Sequence, residues 1–214
     1  MIIDHTHPEY VKRAEKLGKH RFNGCYFYSC EIVKNIIPHV DTDYNWLTVK
    51  AGETCLDHSI VFIHDNVNFE KTYSYLRDYD DLVLVVGIPD MVDRASEFGH
   101  AIYLPLSVDV EFVSRFRRKR KIYDLGSFGR KAKTRKRRGF EISKNARVIG
   151  GGYPRAAFLS EMAKYKRVYA IGRCAFEAMV LGCEVLPFHP RFPNPDLWQI
   201  LDNREAADML QGML

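Results

Sequence analysis

Four short stretches of this sequence carry residue types that could do chemistry. Residues 167–188 read RVYAIGRCAFEAMVLGCEVLPF. A β-prone run ends at Gly172, an apolar helix with Arg173 and Glu177 follows, and Gly182 precedes a second β-prone run. A glycine at the end of a strand lets a ligand or a helix come close. A carboxylate near a helix start suits the dipole, and it could equally accept hydrogen bonds from ribose hydroxyls. Residues 126–139, GSFGRKAKTRKRRG, place Gly126 and Gly129 ahead of Arg130, Lys131 and Lys133. A glycine turn past a strand, followed by cations, suits a diphosphate. Residues 63–70, IHDNVNFE, put His64 and Asp65 just past an apolar strand, where open α/β sheets present ligands. Either could act as a general base, and Asp65 could instead cap a helix beginning near Asn68. Finally, Asp4-His5-Thr6-His7 places two histidines on one face of a strand. They could open a metal site or simply lie on the surface.

Composition sets bounds on these readings. The chain has 214 residues, 46% of them hydrophobic, enough for one large domain or two small ones with buried cores. No apolar run approaches the length of a membrane span, and the opening MIIDHTHPEY lacks the pattern of a secretory leader. The five cysteines, Cys25, Cys30, Cys55, Cys174 and Cys183, show no CxxC spacing, so reduced thiols in a cytoplasmic protein are expected. Charge is concentrated. Arg115 to Arg138 holds 13 Lys or Arg and one acid, Asp124. Of 32 basic and 27 acidic residues, 19 and 26 remain elsewhere, so this segment alone makes the formal charge of +5 positive. It could bind the phosphates of a nucleotide, a nucleic acid or an anionic lipid surface, or form a solvated face. Arg135, Lys136, Arg137 and Arg138 are the densest candidates for contact with duplex DNA.

The elements that must position these residues alternate. Strands are expected at 25–29, 45–49, 59–63, 82–87, 101–106, 122–128, 146–151, 167–172 and 184–188. Helices are expected near 8–17, 31–37, 69–79, 89–98, 154–165 and 173–181, with DLWQIL at 196–201 and REAADMLQGM at 204–213 closing the chain. Alternation of this kind implies α/β architecture with mostly parallel sheets and flanking helices, in one or two Rossmann-like domains.

Three segments also resemble GT-B glycosyltransferases. AIYLPLSVDVEFV, 101–113, is similar to that family's interdomain hinge, with Pro105, Val108, Asp109 and Phe112 matching and Ser107 in place of the usual glycine. IYDLGSFGRK resembles the first strand of the donor domain and its phosphate-facing turn, where Gly129, Arg130 and Lys131 fall. AFEAMVLGCEV is similar to the family's Glu-Ala-Met-Ala-x-Gly-x-Pro-Val helix and strand, matching at Glu177, Ala178, Met179, Gly182 and Val185. Tyr169 stands where retaining members carry an earlier glutamate, and Glu184 where proline is usual. The resemblance spans about residues 60–205. It implies an acceptor domain at 1–106 and a donor domain at 107–214. Glu177 would hold the donor ribose, with Gly172 and Arg173 beside it. It further implies a small, phage-like enzyme moving a sugar from a nucleotide diphosphate sugar to an acceptor, such as a modified DNA base, with no obligatory metal. Two other readings stand beside it: a nucleic-acid-binding protein on a degenerate version of this fold, and a metal-dependent hydrolase using His5 and His7.

Overall fold

The computed structural model describes residues 32–47, 57–63, 74–87, 89–128, 136–137, 140–149, 153–186 and 199–214. These divide into two compact units, one ending at Pro105 and regaining Arg204–Leu214, the other comprising Leu106–Asn203.

In the first unit, β1 (Asn45–Leu47), β2 (Ser59–Ile63), β3 (Leu82–Val86) and β4 (His100–Tyr103) form a parallel sheet in that order. SIVFI and LVLVV are buried at every residue, as continuous β-branched and aliphatic runs are when both faces of a parallel strand are covered. Ile32, Ile36, Leu76, Met91 and Ala95 complete the packing. Helix α1 (Val92–Ala95) follows a tight turn at Pro89–Met91. Of the helix expected over 69–79, the described part is one tight turn, Ser74–Asp78. It closes with Tyr79 N–H donating to Leu76 O, and the chain leaves where the Asp57 carboxylate accepts Asp80 N–H at 2.8 Å.

The second unit opens with β5 (Ser107–Val108) and α2 (Val110–Ser114), whose first turn is capped by Asp109 accepting Phe112 N–H at 2.8 Å. Then come β6 (Tyr123–Phe128), a hairpin of β7 (Lys136–Arg137) and β8 (Phe140–Glu141), and β9 (Arg147–Ile149). Next are α3 (Arg155–Met162), β10 (Tyr165–Tyr169), α4 (Arg173–Val180), β11 (Glu184–Leu186) and β12 (Leu201–Asp202). Four of these strands build a fully parallel sheet in the order β11-β10-β6-β9. The core on one face is Phe128 meeting Phe158 and Tyr165 edge-on, at ring separations of 5.5 and 5.1 Å. The other face buries Ile142 and Ala146 against Leu125, Tyr169 and Ile171.

One expected element is corrected. DLWQIL does not run as a helix to Leu201: Leu201 and Asp202 pair in parallel with Ser107 and Val108. Ser107 Oγ donates to Asn203 Oδ1 at 2.7 Å, and Val110 N–H donates to Asp202 Oδ2 at 3.0 Å. These polar contacts hold the segment extended, and α5 (Asn203–Gln211) begins only afterwards. The architecture is therefore α/β, with parallel sheets and flanking helices, compatible with a Rossmann-like fold. Among the described residues, no helix is long and apolar enough to cross a membrane.

Candidate functional site

The strand order of the second sheet reverses direction between β6 and β10: the chain goes from β6 outward to β9, then returns across β6 to β10 and β11. In a doubly wound sheet the carboxyl ends on either side of such a reversal splay apart, leaving a ligand crevice. After β10, Gly172 turns the chain into α4 with φ 57° and ψ −142°, a combination that side-chain-bearing residues adopt only under strain. Among the described residues nothing lies within 4 Å of where a Cβ would stand, and the backbone conformation itself calls for glycine here. At the far end Gly182 takes φ 73°, with Cys183 N–H bonding Ala178 O and Gly182 N–H bonding Met179 O. This pair of bonds is the Schellman closure.

Helix α4 buries seven of its eight residues, including Arg173 and Glu177. Arg173 Nη2 lies 3.4 Å from Glu177 Oε1, one helical turn away, and Arg155 Nη2 reaches the same oxygen at 3.1 Å from the first residue of α3. The side chains are 12%, 8% and 1% exposed for Arg155, Arg173 and Glu177. Arg155 also lies over the Phe112 ring, 5.1 Å from its centroid. The other carboxylate oxygen, Oε2, is buried with no hydrogen-bond partner among the described residues, as is Ser127 Oγ at the end of β6. The three charged groups carry one positive charge net. The amino ends of α3 and α4, where both arginines sit, each add about half a positive charge. Such a site favours an anion, and the free carboxylate oxygen could accept from a hydroxyl. Cys174 is buried beside this cluster, and desolvation pushes its thiol well above the ordinary range.

No protein-family model, no curated protein and no solved structure matches this chain.

Of the residues singled out by sequence, Gly172, Arg173 and Glu177 come together here. His5, His7, His64, Asp65, Gly129, Arg130, Lys131, Arg135 and Arg138 lie outside the described residues. Lys136 and Arg137 are placed in β7, paired antiparallel with β8. Among the described residues, no group of three or more His, Cys, Asp or Glu side chains is arranged to hold a metal ion. Arg155 was missed. Its signal was Gly150-Gly151-Gly152-Tyr153-Pro154 ahead of an apolar helix, a glycine run entering a helix amino terminus.

Strand β6 interrupts the basic segment: Arg115–Lys121 come before the strand's amino end, and the cations from Arg130 onward come after it in the sequence. Lys121 is put to structural use: its ammonium donates to Leu181 O at 2.7 Å and to Ala163 O at 3.2 Å. It thereby joins the carboxyl ends of α4 and α3, where cations suit the dipoles.

Proposed function

We propose that this chain is a glycosyltransferase whose second unit binds a nucleotide diphosphate sugar at the carboxyl edge of its sheet, between the ends of β6 and β10. The observation carrying this is the Arg155–Glu177–Arg173 cluster at two helix amino ends, beside the strand-order reversal. Arg173 and Arg155 would draw the diphosphate, together with Arg130 and Lys131, which follow β6 in sequence. Glu177 would hold the arginines through Oε1 and accept a ribose hydroxyl through Oε2. In the transfer, an acceptor oxygen bonds to the anomeric carbon as the bond from that carbon to the diphosphate oxygen breaks. The acceptor proton passes to a general base. Cations around the departing diphosphate stabilise its developing charge, and holding both partners in line supplies the rest.

The test is a thermal-shift panel of nucleotide sugars, followed by calorimetry on the best of them. A ligand that binds only the folded state raises apparent stability. Arg173→Gln should weaken the nucleoside diphosphate by about 10–100-fold, the worth of a charge-assisted hydrogen bond of about 1.5–3 kcal/mol. The parent nucleoside should be affected far less. Equal losses for both ligands, or no stabilisation by any nucleotide, would overturn the reading. Binding of duplex DNA without any nucleotide would favour a nucleic-acid-binding protein on the same scaffold, a reading to which the cations before β6 lend weight.

A further inference from the structure

The geometry points to a second anion-binding surface, at the opposite edge of the second unit's sheet. We propose that Arg117, Arg118, Lys119 and Arg120 form a docking site for the backbone of double-stranded nucleic acid.

Four consecutive cations lie exposed on irregular chain between α2 and β6. Their neighbours on both sides are committed elsewhere. Arg115 pairs with Glu111 one helical turn back, and Lys121 is drawn in to bond the carbonyls closing α3 and α4. Lys121 therefore already serves the two helix ends, and the exposed Arg117 lies beside it with its guanidinium against Gly182. No carboxylate among the described residues pairs with the four. Arg147, which opens β9 at this same edge, adds a further exposed cation, with Glu161 at 3.8 Å.

The class of partner follows from this chemistry. Three of the four are arginines, whose planar forks match phosphate oxygens better than a lysine does. Even fully extended, four residues span at most about 13 Å, so the tetrad forms a compact cationic cluster whose long side chains can fan out to neighbouring phosphates of a duplex. Among the described residues, Ile122 (58% exposed) and Tyr123 (39%) are the exposed large apolar side chains that follow it in the chain. Insertion into a lipid surface scales with buried apolar area, so these two offer little there. The six residues of β6 put about 20 Å of strand between this edge and the carboxyl edge. The tetrad accordingly anchors a polyanion and does not present it to the Arg155–Arg173 cluster. The proposal is independent of the glycosyltransferase reading.

The test is anisotropy of a fluorescent DNA duplex against the full chain over a series of salt concentrations. In R117Q/R118Q/K119Q/R120Q the log–log salt slope should fall by about 3–4, at about 0.9 for each phosphate left without its cation. Nucleotide-induced thermal shifts should be unchanged. If the quadruple variant melts differently from wild type, the pairs R117Q/R118Q and K119Q/R120Q decide, each lowering the slope by about two. Three results would each overturn the proposal: no duplex binding by wild type at low salt, an unaltered slope in the tetrad variants, or binding of phosphatidylserine vesicles with none of duplex. An R135Q/K136Q/R137Q/R138Q variant that alone abolishes the slope would move the site to the residues after β6, and so would also refute it.

Discussion

Glu177→Gln removes one charge and almost no volume from the centre of the second unit. In the wild type, Glu177 Oε1 sits 3.1 Å from the Arg155 guanidinium and 3.4 Å from that of Arg173, with all three side chains nearly out of solvent. The amide keeps one acceptor oxygen, but it removes the negative charge that both buried guanidinium groups meet. Removing one partner of a buried ion pair typically costs about 3–5 kcal/mol. For a unit of this size, with a urea slope of about 1–3 kcal/mol/M, the midpoint should drop by about 1 M or more. Urea unfolding followed by far-UV circular dichroism would measure it. Pyrophosphate should then restore the variant more than it stabilises wild type, by up to about 2.7 kcal/mol at 100 times its dissociation constant. A loss under about 0.5 kcal/mol, the size of an ordinary surface change, would refute the claim that this carboxylate holds the arginines. Pyrophosphate acting equally on both proteins would refute the anion site.

Three further outcomes follow from other parts of the structure. Gly126→Ala would set a Cβ 2.7 Å from the Phe128 ring and 2.8 Å from that of Tyr165, so thermal unfolding should show an overpacking loss of about 1–3 kcal/mol. Asp109→Ala removes the cap of α2 and should cost about 1 kcal/mol in urea unfolding, with Asp109→Asn largely sparing it. In the first unit, the Asp81 carboxylate 2.6 Å from His58 Nδ1 holds the imidazole above its usual pKa, and the same contact holds Asp81 below the usual carboxylate value. The His58 contribution is therefore complete below about pH 6.5 and fades as pH rises through the raised value, whereas the Asp81 contribution fades as pH falls below about 4. Urea midpoints of wild type and His58→Asn should differ most near pH 5–6, and the difference should shrink as pH rises through the raised His58 value; a pH-independent difference would contradict this assignment.

What could be read in advance was local. SIVFI and LVLVV identify themselves as buried strands because, Ser59 apart, every residue is apolar and mostly branched, leaving no face for water. The ends of α4 are legible because Gly172 and Gly182 each adopt a positive φ that few other residues would tolerate. The fate of DLWQIL was not legible. Its helical spacing competes with a pairing to Ser107–Val108 that exists only once the chain has returned. The site was half visible: Arg173 and Glu177 lie one turn apart on one helix, but Arg155 arrives from a different helix, 22 residues before Glu177. The basic segment reads as one run, yet β6 occupies Tyr123–Phe128 in its middle, so Arg117–Arg120 fall before the amino edge of the sheet.

The closing stretch of the chain has a bearing on synthesis. Ser107 waits for Asn203, 96 residues later, and Asp41, whose N–H and carbonyl both bond the Gln211 side chain, waits for a residue 170 positions on. At a translation rate of about 5–20 residues per second, β5 stays without its partner for roughly 5–20 s, and the Asp41 turn for about 8–35 s. Residues 201–211 thus seal both units within moments of each other, and a ribosome that stalls before residue 201 leaves each with an open seam. The nascent protein then depends on chaperone protection until α5 has been made.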